Sequence, residues 1–308
     1  MAVLAFSFVF EPSVAEKVSA RSQSTTNAET LTFEQGAAAS ERREYTLAFS
    51  IFQRLALNGD AKAQNSLADL YHNGTGVPQD YAAAVSWYRK AAEQGLTEAQ
   101  NNLGVMYSKG QGVPQDNAVA VSWYRKAADQ GNATAQNSLG VRYEGGTGVL
   151  QDNAAAVSWY RKAADQGNAN AQNNLGVMYE VGTGVLQDNA AAVSWYRKAA
   201  DQGNANAQNN LGIMYKKGTG VPQDEAAAFS WYRKAAEQGL EESQYNLGVM
   251  YSKGQGVPQD SVQAYKWFIL SAVSGDEDSI KNRDIVARAM TRAQIAEAQR
   301  LAREWRRK

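Results

Sequence analysis

The chain has 308 residues, 44% of them apolar, and its 31 Lys plus Arg are matched by 31 Asp plus Glu. That balance gives no global field for nucleic acid or an anionic membrane surface, and the lack of cysteine excludes thiol catalysis, disulfides and thiolate metal sites. His72, the one histidine, excludes a two-histidine metal site and most Ser/His nucleophilic arrangements, and no run of 18 apolar residues offers a membrane-spanning helix.

In chain order, Met1 to Phe10 is an apolar run followed by the small-residue sites Ser13-Val14-Ala15 and Val18-Ser19-Ala20. This has the h-region and cleavage zone of a secretory signal peptide but no basic n-region. A start site placed too far downstream gives the same appearance. The leader predicts export to the periplasm or outside the cell, with a disordered leader on a cytoplasmic protein as the alternative. Residues 1–29 are read as this leader and a disordered Ser/Thr-rich linker.

From there a period of 36 residues takes over. Ser-Trp-Tyr-Arg recurs at Trp87, Trp123, Trp159, Trp195 and Trp231, and a sixth copy reads Lys-Trp-Phe at Trp267. Such a period marks a solenoid whose units bury their apolar faces only against neighbours. Residues 30–59 form a degenerate first pair of helices, with Ile51 at the tryptophan position. Six full units fill 60–274. Gln151 to Gly176 is identical to Gln187 to Gly212, which points to recent duplication and an adjustable array length.

Each unit predicts two helices. In the second, helix A covers about Thr97 to Lys109, with Ala99, Leu103, Met106 and Tyr107 on one stripe. Gly104 sits mid-helix, at about 1 kcal/mol relative to alanine. Its return at Gly140, Gly176, Gly212 and Gly248, with Ala68 in the first unit, predicts a neighbour too close for a larger side chain. Gly110 suits a left-handed helix end, and Pro114 stiffens the entry to the next helix. Asp116 is the expected N-cap of helix B. Ala120, Trp123, Tyr124 and Ala127 form its apolar stripe, Gly131 ends it, and Asn132 caps the next helix A. After Gly275 the pattern lapses. Residues 275–308 predict capping helices, with Thr291 and Gln294 at capping-box spacing and Ile295, Ala298, Ala302 and Trp305 on one face. From Lys281 to Lys308 nine basic residues face three acidic ones.

The run Ala-Gln-Asn-Asn-Leu-Gly-Val-Met-Tyr, then Gly-x-Gly-Val-Pro-Gln-Asp, then Ala-Val-Ser-Trp-Tyr-Arg-Lys-Ala-Ala-Asp-Gln-Gly resembles the Sel-one-like repeat (SLR), a longer relative of the tetratricopeptide repeat. The resemblance covers about 60–275 strongly and 30–58 weakly. It implies an all-α fold, a right-handed α/α superhelical solenoid, that acts as an adaptor in protein complexes, and many bacterial members are exported.

Beside their alanines, the tryptophans are expected in the core, where Trp159→Ala costs about 3–5 kcal/mol. The Gly-x-Gly loops lack both a dinucleotide fingerprint and a P-loop signature, so they are plain turns. Arg125/Asp129, Arg161/Asp165 and Arg197/Asp201 have the spacing of i,i+4 pairs on a solvated face. His72 is expected to be exposed and incidental.

The expected binding row is Ser66, Asn102, Ser138, Asn174, Asn210 and Asn246, just before the helix A leucine. Tetratricopeptide-like superhelices line their concave groove with helix A, so the resemblance implies a ladder of amides there. Asn offers a donor and an acceptor to an extended peptide; the alternative is bonding between repeats that sets the twist. Further variation falls at His72/Asn73, Ser108/Lys109, Glu144/Gly145, Glu180/Val181, Lys216/Lys217 and Ser252/Lys253. Arg142 stands alone in the series Leu70, Met106, Met178, Met214, Met250. It either snorkels to water or anchors a carboxylate.

The sequence therefore predicts a non-enzymatic scaffold binding a protein or peptide, with no cofactor, no metal and no nucleic acid. A cell-envelope or glycan-binding role is the alternative. A β-lactam-directed hydrolase is disfavoured, because Ser-x-x-Lys occurs nowhere and no acid–base–nucleophile set is available.

Overall fold

The computed structural model describes residues 31–305; the leader expected at 1–29 lies outside them. The described residues form sixteen α-helices, a short 3-10 turn at Ala272–Ser274 and no strand. Helices α1 (Phe33–Glu41) and α2 (Tyr45–Leu57) precede six A/B pairs. The A helices are α3 (Ala61–Asn73), α5 (Thr97–Lys109), α7 (Ala133–Gly145), α9 (Ala169–Val181), α11 (Ala205–Lys217) and α13 (Glu241–Lys253). The B helices are α4 (Tyr81–Glu93), α6 (Asn117–Asp129), α8 (Asn153–Asp165), α10 (Asn189–Asp201), α12 (Glu225–Glu237) and α14 (Ser261–Ser271). Two more, α15 (Glu277–Arg288) and α16 (Arg292–Trp305), pack against α14. The fold is an all-α solenoid of 36-residue helix-turn-helix repeats, and its described residues fall in two compact units, 31–87 and 88–305.

Local chemistry sets the helix bounds. Asp116 Oδ1 accepts from Ala118 and Val119 N–H at 3.0 Å, and Asn132 Oδ1 accepts from Ala135 N–H at 2.9 Å. Leu96 and Leu240 occupy the N-cap of α5 and α13 with no side-chain bond to give. Gly110 ends α5 in the left-handed region at φ 66°. Gln115 Nε2 then donates to the Ser108 carbonyl at 2.9 Å, satisfying one of the orphan acceptors of the helix end. The second loop glycine has a packing role: a Cβ on Gly148 would collide with the Asn117 carbonyl of the preceding helix B. These loops are turns, as their composition predicts.

In the first unit, Ala39, Ala48, Phe52, Ala56, Ala63, Leu67 and Leu70 form the core. Only residues 42–44 join α1 to α2, and Gly36 makes room for the Phe52 ring, which a Cβ would meet at 2.5 Å. His72 is half-buried, its ring edge-on to Tyr81 at 5.4 Å between centroids, so it is less exposed than its variability suggests.

In the second unit the core lies at the boundaries between repeats. Ala156, Val157, Tyr160, Ala163 and Ala164 of α8 cluster with Ala171, Leu175 and Met178 of α9, the helix A of the next repeat. The next cluster repeats this arrangement from α10 to α11. Inside each repeat, the helix A glycine accepts an aromatic ring from its own helix B. A Cβ on Gly176 would stand 2.7 Å from Tyr196, and one on Gly248 would stand 2.8 Å from Phe268. The expected close approach is therefore real, and the approaching group is a ring.

That ring is not the tryptophan. Tyr124, Tyr160, Tyr196 and Tyr232 are buried, whereas Trp123, Trp159, Trp195 and Trp231 are half-buried and only Trp267 is fully enclosed. Trp195 packs one face on the cluster of α8 and α9. A lysine covers its exposed side, with Lys198 Nζ 4.0 Å from the ring centroid. Helix geometry explains the correction: neighbouring residues point about 100° apart, so one of two adjacent aromatics faces the core squarely while the other lies at its rim.

The arginines also depart from expectation. Arg89 donates to the Tyr107 hydroxyl at 2.7 Å, and Arg125, Arg161 and Arg197 likewise reach Tyr143, Tyr179 and Tyr215 on the next helix A. Of this series, Arg233 makes the i,i+4 pair, with Glu237 at 2.8 Å.

Candidate partner-binding surface

Each helix A of the second unit has one face that packing covers only in part, with residues at i, i+3 and i+7; Val105, Val177 and Ile213 lean against the neighbouring clusters. These are Asn102, Val105 and Lys109 on α5, then Ser138, Val141 and Gly145 on α7, then Asn174, Val177 and Val181 on α9. On α11 and α13 the face continues with Asn210, Ile213, Lys217 and Asn246, Val249, Lys253. All are half-buried or exposed, and Val141 is 44% exposed. The spacing puts each trio on one stripe.

The amide row expected from sequence lies on this face but is partly engaged. Asn174 Nδ2 donates to Asn137 Oδ1, and Asn210 Nδ2 to Asn173 Oδ1, each at 3.1 Å and each across a repeat boundary. The bonding between repeats weighed as the alternative is therefore present at these two positions. Asn246 is half-buried beside Tyr245, whose hydroxyl accepts from Asn282 at 3.3 Å. Arg142 is half-buried, and its Nη2 donates to Ser108 Oγ of the preceding repeat at 2.9 Å.

A second amide row went unrecognised in the sequence. Gln100, Gln136, Gln172, Gln208 and Gln244 are buried, and each donates from Nε2 to the carbonyl eight residues earlier, as Gln172 does to Ala164 at 3.0 Å. Four of them also accept from the glutamine that follows helix B, as Gln172 does from Gln202 at 2.7 Å. They tie each helix A to the ends of the B helices before and after it. Their invariance was the available signal.

Glu144 and Glu180, at a variable position, accept from buried hydroxyls: Tyr160 Oη at 2.6 Å and Tyr196 Oη at 2.5 Å. Burial, then these bonds and the carboxylate charge, push both phenols far above their ordinary range. Two clefts accompany these surfaces. One of about 500 Å³ in the first unit is lined by Phe33, Tyr45, Phe52, Leu70, Glu41 and Asp69 among others. One of about 370 Å³ in the second is lined by Glu241, Glu242, Asp276 and Asp278 with Tyr245 and Ser279. Among the described residues no group of three or more His, Asp or Glu is arranged to hold a metal ion, and no helix is long and apolar enough to cross a membrane.

Paired helices with cores between repeats and an open stripe on helix A define the class: an α/α solenoid of helix-turn-helix repeats. The Sel1 repeat matches six consecutive segments, 61–96, 97–132, 133–168, 169–204, 205–240 and 241–276, and the chain belongs to the Sel1 repeat family. A crystal structure of a Sel1 repeat protein from Oxalobacter formigenes is similar at TM-score 0.73 and 32% identity, over 80% of this chain and 98% of that one. The protective antigen c5321 of uropathogenic Escherichia coli strains, which displays an SLR fold, has 29% identity and TM-score 0.49 over 93% and 85%. Immunity protein Pa5087 from Pseudomonas aeruginosa has 23% identity and TM-score 0.47 over 68% and 80%. No curated protein matches the chain.

Proposed function

We propose that the chain is a non-catalytic scaffold that holds a partner protein, or an extended stretch of one, along the open stripe of its helix A row. One observation carries this: the buried residues that recur between repeats are consumed by packing, while the helix A stripe stays partly accessible and changes at its first and last positions from unit to unit. The buried glutamines, the helix A glycines and the ring beneath them are all committed to the stack. The stripe instead offers an amide or hydroxyl, an aliphatic side chain and a variable residue. That mixture suits an extended peptide, whose backbone needs donors and acceptors and whose side chains need apolar contacts. By likeness to tetratricopeptide-like superhelices, the stripe faces the concave side. Asn102, Asn174, Asn210 and Asn246 supply the amides and Arg142 a charged contact. The glycan-binding alternative has no observation of its own in its favour.

Photo-crosslinking tests this directly. A crosslinking amino acid at Val141 or Ile213 is expected to capture a partner, whereas one at Ser158 or Ser194 on the exposed side of helix B is not. Capture from helix B alone overturns the proposal. In parallel, an Asn102/Asn174/Asn210→Ala triple variant that keeps its melting temperature and all its partners removes the amides from the binding role.

A further inference from the structure

We propose that Arg142, Ser108 and Tyr124 form a seat for a carboxylate supplied by the bound partner. The inference rests on the scaffold reading above and names the chemistry of one contact within it.

Arg142 breaks a buried apolar series. Met106, Met178 and Met214 are 1% exposed and Met250 is 0% exposed, whereas Arg142 is half-buried. Its guanidinium reaches back one repeat to Ser108 Oγ at 2.9 Å and lies 6.0 Å from the centroid of the Tyr124 ring. One bond to a serine hydroxyl uses one of five N–H donors. Among the described residues it makes no ion pair with a carboxylate. A half-desolvated cation without a counter-charge is a poor contributor to stability.

The neighbouring repeats show what is missing. The positions equivalent to Ser108 in the next two repeats are Glu144 and Glu180, whose carboxylates accept hydrogen bonds from the Tyr160 and Tyr196 hydroxyls at 2.6 and 2.5 Å. Tyr124 is the equivalent tyrosine and is as deeply buried. Where the chain introduces an arginine, the side chain it reaches is a short serine in place of the glutamate that carries the anion in the next two repeats. A carboxylate entering beside Ser108 would occupy the place that Glu144 and Glu180 fill in their repeats. There it accepts from the Tyr124 hydroxyl, as theirs do, and from the Arg142 fork, whose planar geometry matches a carboxylate's two oxygens. The internal template is a carboxylate, which selects that group over bulkier anions. Lys109, exposed one residue beyond Ser108, adds positive charge at the entrance.

Two substitutions test the seat, each placing a residue that the chain already uses at the equivalent position. Arg142→Met restores the apolar series; Ser108→Glu restores the internal carboxylate and fills the seat. The probe is an immobilised array of random heptapeptides attached by their N-termini, made in free-acid and amidated forms and exposed to the full chain. The wild type is expected to retain peptides bearing Asp, Glu or a free C-terminus, and each variant to lose that retention by about tenfold or more while melting no lower than the wild type. Retention confined to the free-acid set assigns the carboxylate to a chain terminus; retention in both sets assigns it to a side chain. Peptides retained without carboxylate preference, or held equally by both variants, overturn the seat and leave the scaffold reading standing. A wild type that retains no peptide overturns both.

Discussion

Two amide rows run along the same A helices, two residues apart and so on nearly opposite sides, and they have different fates. The glutamine row, from Gln64 to Gln244, is buried in all six repeats and makes the same cross-helix bond each time, at 3.0 to 3.3 Å. The neighbouring row mixes Asn with Ser, stays half-buried and bonds irregularly. In a stacked array, a polar group that must be satisfied in every unit becomes architecture. A polar group that tolerates change from unit to unit is available for recognition.

The comparison can be broken or sharpened by substitution within a single repeat. Tyr160→Ala is expected to have the largest effect, a loss of about 3–5 kcal/mol, because it empties a fully buried site. Trp159→Ala, one residue away, should lose only about 1–2 kcal/mol, since its ring is half-buried and lysine-covered. Urea unfolding of the pair checks the ranking, and equal losses would restore the tryptophan to the core. Gln172→Ala is expected to lose about 1–3 kcal/mol by removing the bonds to the Ala164 carbonyl and from the Gln202 amide, a larger loss than that of Asn174→Ala in the same melts. Gly176→Ala drives a Cβ against Tyr196 and should cost about 1–3 kcal/mol despite its better helix propensity. The smallest effect has the opposite sign. Leu96→Asn supplies the cap that α5 lacks and should raise the thermal midpoint by an amount corresponding to about 1 kcal/mol.

The repeat architecture was legible because local signals agree with one another. Asp116, Gly110 and Asn132 bound their helices where the period predicts, and helix A of the second repeat runs from Thr97 to Lys109. What escaped needed three-dimensional neighbours. Periodicity alone does not separate Trp159 from Tyr160, since both fall on the apolar stripe and the difference is one of rotation. The spacing of Arg125 and Asp129 suggested a local pair, but the partner is a tyrosine 18 residues on, across a repeat boundary. Gln172 is polar, and a one-dimensional pattern does not separate a polar side chain that bonds across a seam from one that faces water. For the candidate site, the Asn row and Arg142 were visible as residues that vary. Their geometry required the Glu144–Tyr160 pair for comparison.

The placement of the cores between repeats bears on how the second unit comes apart. The repeated clusters join the B helix of one repeat to the A helix of the next, in addition to the glycine–ring packing inside each repeat, so every repeat shares part of its core with its neighbours. Opening therefore proceeds by fraying from an end, one seam at a time, with each lost repeat exposing the flank of its neighbour. Backbone amides in α8 to α10 should exchange with deuterium more slowly than those in α15 and α16. Under tension the same arrangement yields in steps, like a zip.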